Sequence, residues 1–277
     1  MITSDVNFLV GYILATKFYN EEKQLGEFIQ NVANQKLKPK TMVFLNDGSI
    51  DASEDIVQSV AKKHDLKFII ISMPKKKKGN LDTLGRIWTK AQPTLKMLSE
   101  DAKYFATIDV DTRVTPSYFS DMIEYLEANP SIGVVAGQAH NEPKRTFPMF
   151  TGKVFRSSII KVIDEYWDIS IDSFINVKAL KMGYTLKILD VPVNTPKTHL
   201  LTAKGKYRAG RLAYYAGTSF LYVLMKGILK FDAQYLRGYW SEKSRGTWKT
   251  TDPDIIEYYG NEFTRRILSF VRKALSL

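Results

Sequence analysis

Four short apolar runs, each closed by polar residues and followed by a segment with helical spacing, organise the N-terminal part of the chain. Phe8–Ala15 (FLVGYILA) is continuous in its apolar character, which predicts a strand buried on both faces. Asn20–Asn34 then carries Leu25, Phe28, Ile29 and Val32 on one helical face, with Glu21 and Glu22 in the first turn where the helix dipole favours acid. The alternation continues with a strand over Thr41–Leu45, a helix over Asp51–His64 and a strand over Lys67–Ser72. A helix over Leu81–Leu98 follows, which Pro93 is expected to kink or split. Next come a strand over Tyr104–Ile108, a helix over 116–128 with Pro116 in its first turn, and a strand over Gly133–Gly137.

This alternation predicts an open parallel α/β sheet, in which ligands bind outside the carboxyl ends of the strands. The polar clusters at 16–21, 46–51 and 109–111 should therefore meet at one edge. Beyond Gly137 the pattern becomes irregular. A helix over Ile171–Met182 stopped by Gly183, and a strand over Thr185–Val191, can still be read. From about Tyr207 the chain reads as helices rich in aromatic and basic residues, an extension of the domain and not an independent one.

Composition narrows the chemistry. With no cysteine among 277 residues, a disulfide scaffold, a Cys-ligated metal and thiol catalysis are all excluded. The start, MITSDVNFLVGYIL, has no basic leader and no small-residue cleavage site, so no signal peptide is expected. No apolar run is long enough for a transmembrane helix, and the expected location is cytoplasmic. The net charge of +11 calls for an anionic partner. Much of it sits between Val191 and Phe231, where Lys197, Lys204, Lys206, Arg208, Arg211, Lys226 and Lys230 occur without a single acid. A second basic block is Lys75–Lys78.

Asp109-Val110-Asp111 places two carboxylates directly after a buried strand. Two acids there suit a hard cation with few protein ligands, Mg²⁺ or Mn²⁺, whose remaining ligands are substrate phosphates; they suit equally a turn with Asp109 capping the next helix. The motifs around the pair are more specific. In chain order they are Ala15–Glu22 (ATKFYNEE), Asn46–Asp51 (NDGSID), Lys78-Gly79-Asn80, Ile108–Asp111 (IDVD), Gly152–Arg156 (GKVFR), and Ile171–Phe174 (IDSF) leading to Gly183-Tyr184. Together these resemble glycosyltransferase family 2, the inverting sugar-nucleotide enzymes of GT-A fold, over about residues 8–200. The sequence departs from the family pattern at Lys17 (usually proline), Ile50 (threonine) and Ile171 (an acid), and it lacks the Q-x-x-R-W motif of processive synthases.

The resemblance implies a Rossmann-like GT-A domain, mostly parallel and flanked by helices, over 1–206. Its nucleotide half is 1–111 and its acceptor half 112–206, with a basic helical extension over 207–277. It implies that Asp47 reads the nucleobase while Thr16, Lys17, Tyr19 and Glu21 line the same pocket, with Lys78 and Gly79 also on the donor. Asp47 can also be read simply as a turn residue in N-D-G. Asp109 would face ribose or metal, and Asp111 metal and diphosphate. His199 would be a further metal ligand or a hydrogen-bonded loop histidine, and Arg208 and Arg211 would fold over the diphosphate as a lid. Asp172 would be the base that takes the acceptor's proton, with Asp168 its rival.

The implied donor is a nucleoside-diphosphate sugar, UDP by default, with GDP or dTDP open. The implied acceptor is a hydroxyl or a phosphate of a lipid-linked or surface-glycan molecule, reached by a non-processive enzyme. Phe220–Leu229 with Lys226 and Lys230 reads either as an interfacial helix on an anionic membrane, making the protein peripheral there, or as a helix packed on the domain. Two other readings stand beside this one. The acceptor could be a modified nucleic-acid base, given the mixed Tyr, Trp, Lys and Arg residues of 235–249; or the chain could be an inactive nucleotide-binding module.

Overall fold

The computed structural model describes residues 11–75, 84–139, 147–166, 171–196 and 202–262. Lys78, Gly79, Asp168 and His199 lie outside the described residues, as does the side chain of Asp172. Two compact units are present, divided at Lys197/Thr198. The second unit takes in Thr202 because that residue caps its first helix, accepting a hydrogen bond from the Gly205 N–H at 3.2 Å.

The first unit is built on one eight-stranded sheet in the order β3-β2-β1-β4-β7-β6-β8-β5. Its strands are β1 (Tyr12–Phe18), β2 (Thr41–Asn46), β3 (Phe68–Ser72), β4 (Tyr104–Thr107), β5 (Arg113–Val114), β6 (Ile132–Ala139), β7 (Lys153–Arg156) and β8 (Thr185–Asn194). Strands β1 to β4 are parallel to one another. Strand β2 is buried at every position and β1 at nearly every one, as their unbroken apolar character requires. Helices α1 (Glu22–Ala33), α2 (Ser53–Lys63), α3 (Leu84–Leu98) and α4 (Tyr118–Ala128) follow in alternation, close to their expected spans. Helix α1 buries Leu25, Phe28, Ile29 and Val32, the stripe its spacing predicts.

Helix α3 runs through Pro93 as one element. It is anchored on the N-terminal side of the proline, where Trp88 packs edge-on against Phe150 at 5.2 Å. It is also anchored at Gln92, whose amide donates to the Ile160 and Ile163 carbonyls.

The irregular region conceals two short strands. Strand β7 inserts antiparallel between β4 and β6, and β5 pairs antiparallel with β8. Four and two residues are too few for a period-2 pattern to declare itself. Strand β7 is preceded by Gly152, at φ 71°, where a Cβ would stand 2.7 Å from the Tyr118 hydroxyl. That hydroxyl donates to the Gly152 carbonyl at 2.5 Å and accepts from the Gly137 N–H at 2.7 Å, so one buried tyrosine ties α4 to both β6 and β7. Helices α5 (Ser158–Lys161) and α6 (Ile171–Lys181) complete the unit.

The second unit contains α7 (Ala203–Tyr215), α8 (Phe220–Leu229), α9 (Ala233–Ser244) and α10 (Pro253–Gly260). Helices α7 and α9 meet at two glycines. A Cβ at Gly210 would stand 1.9 Å from the Tyr235 carbonyl oxygen, and one at Gly238 would stand 2.0 Å from that of Tyr207. Only bare backbone allows that approach.

Candidate functional site

The strand order reverses between β1 and β4: β2 and β3 lie on one side of β1, and everything later lies on the other. A crevice at the carboxyl ends of such a pair is where open α/β sheets bind ligands. The Thr16 hydroxyl spans this junction, donating to the Ile108 carbonyl at 2.7 Å, and Thr16 is fully buried. Its hydrogen bond fixes the end of β1 against the segment that leads into Asp109.

The loops after β1 and β2 are laced to each other. Asn20, in the left-handed region at φ 54°, donates its N–H to Ser49 Oγ at 3.0 Å and accepts from the Ile50 N–H at 2.9 Å. The Glu21 N–H donates to Ser53 Oγ at 2.8 Å, and the Ala52 N–H to Glu22 Oε2 at 3.1 Å. Asn46 closes the second loop, accepting from the Ser49 N–H at 2.8 Å and donating to Glu54 at 2.6 Å. This explains why Ile50 can stand where the family pattern has threonine. The loop uses only its N–H, and its side chain points to solvent.

Asp47 is buried at this junction, and Lys17 Nζ lies 3.5 Å from its Oδ2. The lysine that replaces the family's proline is therefore a partner of the aspartate expected to read the base. Tyr19 and Glu21 are both half-buried on the same loop. Desolvation raises the Glu21 carboxyl above its ordinary range, the nearby Asp111 and Asp51 carboxylates push it the same way, and Lys17 opposes them. Glu21 thus faces Asp111 closely enough for the two charges to repel.

The Asp109–Asp111 segment is a tight turn, closed by the Thr112 N–H on the Asp109 carbonyl at 3.0 Å. Val110 is buried, Asp109 is half-buried and Asp111 is exposed. Beneath the turn runs a chain of hydroxyls. The Asp109 N–H donates to Thr151 Oγ1 at 3.1 Å, Thr151 to Thr112 at 2.8 Å, and Thr112 to Thr195 at 3.1 Å. At its side, Arg113 donates to the Val110 carbonyl at 2.7 Å and to Glu27 at 3.0 Å. Sequence reasoning missed these residues because nothing in the spacing of 112, 151 and 195 connects them; only the fold does.

These carboxylates are hard oxygen donors, the type a divalent cation such as Mg²⁺ or Mn²⁺ prefers. Two acids on a tight turn, Asp109 half-buried and Asp111 exposed, with the Glu21 carboxyl repelled by Asp111, are like charges that a cation would relieve. Among the described residues no group of three or more His, Cys, Asp or Glu is placed to hold a metal ion. Mg²⁺ or Mn²⁺ there would take most of its ligands from phosphate and water.

Asp172 lies in the first turn of α6. One turn later, fully buried Asn176 accepts from the equally buried Lys153 Nζ at 3.0 Å and donates to the Pro148 carbonyl at 2.9 Å. The lysine of the G-K-V-F-R motif thereby joins β7 to α6. Arg208 and Arg211 lie on α7 in the second unit, where the Arg211 guanidinium pairs with the buried Glu242 carboxylate.

A family model described as glycosyl transferase family 2 matches residues 14–174. Among curated proteins, the poly-β-1,6-N-acetyl-D-glucosamine synthase of Staphylococcus epidermidis is 27% identical over 128 residues, which is 46% of this chain and 28% of that protein. The corresponding synthase of Staphylococcus aureus is 26% identical over 48% of this chain and 29% of that protein. The chain thus matches less than a third of the length of these relatives. Among solved structures, S. aureus TarS 1–349 in complex with UDP superposes with a TM-score of 0.55 at 16% identity, covering 73% of this chain and 64% of that one. The mannosyltransferase PcManGT from Pyrobaculum calidifontis, in complex with GDP-Man and Mn²⁺, gives 0.53 at 17% identity over 72% and 61%. At these identities the structural likeness shows a shared fold.

Proposed function

Because this chain belongs to glycosyl transferase family 2, we propose that it transfers one sugar from a nucleoside-diphosphate donor to an acceptor hydroxyl, with inversion and dependence on a divalent metal. What supports the reading is that buried Asp47 follows β2 and the Asp109–Asp111 turn follows β4, the two strands that flank β1, on segments tied by side-chain-to-backbone hydrogen bonds. Such a rigid frame holds its groups in place before the ligand arrives, as positioning and electrostatic catalysis require.

In this mechanism Asp47 accepts N–H donors of the base, with Lys17 beside it and Tyr19 on its flank. Asp109 faces the ribose and the metal, and Asp111 the metal and the diphosphate. When bound, Mn²⁺ or Mg²⁺ neutralises charge on the departing diphosphate. Asp172 takes the proton from the acceptor oxygen as that oxygen attacks the anomeric carbon and the diphosphate leaves. Lys153 and Asn176 hold α6 to the sheet. Lys78, Gly79 and His199 complete the donor site in this reading.

A UDP-sugar is the default donor and a lipid-linked or surface-glycan hydroxyl the acceptor, used once per encounter. The test is a panel of UDP-, GDP- and dTDP-sugars assayed for Mn²⁺-dependent hydrolysis and transfer. Turnover of one donor class, lost on adding chelator, is expected. No turnover and no thermal shift with any nucleoside diphosphate would overturn the donor assignment.

A further inference from the structure

Helix α8 is apolar apart from Lys226, which pairs with Glu262, yet only one side of it is covered. Tyr222, Val223 and Gly227 are buried, Gly227 fitting closely against Leu236 of α9. On the other side Leu221 is 75% exposed, Ile228 58% and Leu229 71%, with Leu224 and Met225 half-exposed between them. These positions follow the i, i+3, i+4, i+7, i+8 spacing of one helical face. A helix apolar on both faces belongs in an apolar environment on both.

The tip of this helix is more unusual. The Phe231 N–H bonds to the Ile228 carbonyl at 3.0 Å and the Asp232 N–H to the Gly227 carbonyl at 2.8 Å, which is the Schellman arrangement. Phe231 occupies its left-handed position at φ 48°, a place glycine usually fills because a bulky side chain is strained there. That phenylalanine is 95% exposed. The chain thus places a large aromatic side chain where the backbone disfavours it and where it packs against almost nothing.

Exposed lysines flank this face. Lys230 follows Leu229 and is exposed, and at the opposite end Lys243 lies 4.6 Å above the Phe220 ring and 5.1 Å above that of Trp240, itself 55% exposed. The two acids between Thr202 and Lys249 are both turned inward, and Glu262 is occupied by Tyr222 at 3.2 Å and by Lys226 at 3.4 Å, its side chain 14% exposed. Asp232 caps α9 and lies 3.6 Å from Lys206, and Glu242 is buried against Arg211. A second copy of this chain seated on the same face would bring these lysines against themselves. Anionic headgroups would instead neutralise them, and an interface accommodates Trp and Phe beside Lys. At ten residues α8 is too short to span a bilayer, and no described helix is long and apolar enough to do so.

We infer that the Leu221–Ile228–Leu229–Phe231 face of the second unit seats the protein on an anionic lipid surface, with α8 lying in the plane of the interface. This inference does not depend on the glycosyltransferase reading, and a chain inactive on every donor would still bind. The experiment is co-sedimentation of the full chain with vesicles of phosphatidylcholine and phosphatidylglycerol in equal amounts, against phosphatidylcholine alone. Binding to the anionic vesicles that weakens with salt is expected. Phe231→Gly keeps the left-handed backbone and removes the side chain. It should lower vesicle affinity about tenfold while leaving Tm unchanged or higher. Absence of binding by the natural chain at low salt would overturn the inference, as would equal affinity of the Phe231→Gly chain. A concentration-dependent dimer that Phe231→Gly dissolves would assign the face to a second copy instead, and equally overturn it.

Discussion

The two units use their polar and apolar residues in opposite ways. At the sheet edge of the first unit, polar groups are drawn inward and tied together. Thr16, Asp47, Ser49, Ser53, Thr112 and Thr151 are all buried, and hydrogen bonds run from loop to loop. In the second unit, apolar groups are turned outward, and Phe231 occupies a strained position in order to be there. Each is a local departure from the rule that apolar residues go in and polar residues go out. Such departures are where function is expected, since the chain maintains them at a cost in stability. The first describes a site preorganised for a small charged ligand, the second a surface awaiting an extended one.

The comparison breaks most visibly if the acids of the first unit prove dispensable. Asp111→Asn and Asp172→Asn should each lower kcat by about 10²- to 10⁴-fold in the transfer assay, with the fold retained by circular dichroism. Near-natural turnover in either would remove that residue from the chemistry. A different weakness is expected in the second unit, where α7 and α9 approach through Gly210 and Gly238. Gly210→Val would force a side chain onto the Tyr235 carbonyl, 1.9 Å from the position of its Cβ, and backbone cannot yield as a side chain does. A loss of about 3 kcal/mol or more is expected in chemical denaturation, and no loss would mean the helices sit further apart.

The hydroxyl chain beneath the Asp109–Asp111 turn comes next in size. Thr151→Val keeps the shape but leaves the Asp109 N–H and the Thr112 hydroxyl without that partner. It should cost about 1–3 kcal/mol of stability and weaken Mn²⁺-dependent donor binding, read by calorimetry. If stability falls and donor binding does not, the hydroxyls support the fold alone.

These residues also mark how far sequence can be read. Strands β1 to β4 and helices α1, α2 and α4 were legible because a doubly buried strand and an amphipathic helix each impose a periodicity several residues long. That Asn20, Asp47 and Asp109–Asp111 fall on loops was legible because each follows an apolar run that reads as a strand. Strand β7 was not, since four residues carry no period and its place between β4 and β6 is a long-range choice. Thr151 and Thr195 were hidden for the same reason. Their partner, Thr112, is distant in sequence, and a threonine in isolation signals nothing. The role of Lys17 was only half legible. Its departure from proline stood out, but its ion pair with Asp47 needed the β1–β2 register to be seen.

The smallest effect tests the electrostatics of the site directly. Burial and the neighbouring Asp111 raise the Glu21 carboxyl above its ordinary pKa of 4.5. A folded state that holds a proton more tightly than the unfolded state loses stability as pH climbs through the raised pKa, so the penalty is absent in acid and complete at neutrality. Glu21→Gln has nearly the same shape and no charge. It should therefore be more stable than the natural chain at pH 7, with the difference vanishing as pH falls below the ordinary carboxyl range. Because Glu21 is only half-buried, water screens the repulsion and the gain should be a few tenths of a kcal/mol. A divalent cation reverses the order: it stabilises the charged carboxyls, so added Mn²⁺ should raise the Tm of the natural chain more than that of Glu21→Gln. Equal shifts would place the cation away from Glu21. A Glu21→Gln chain less stable at pH 7 than at pH 4, relative to the natural one, would mean that a favourable contact of the carboxylate outweighs the repulsion from Asp111.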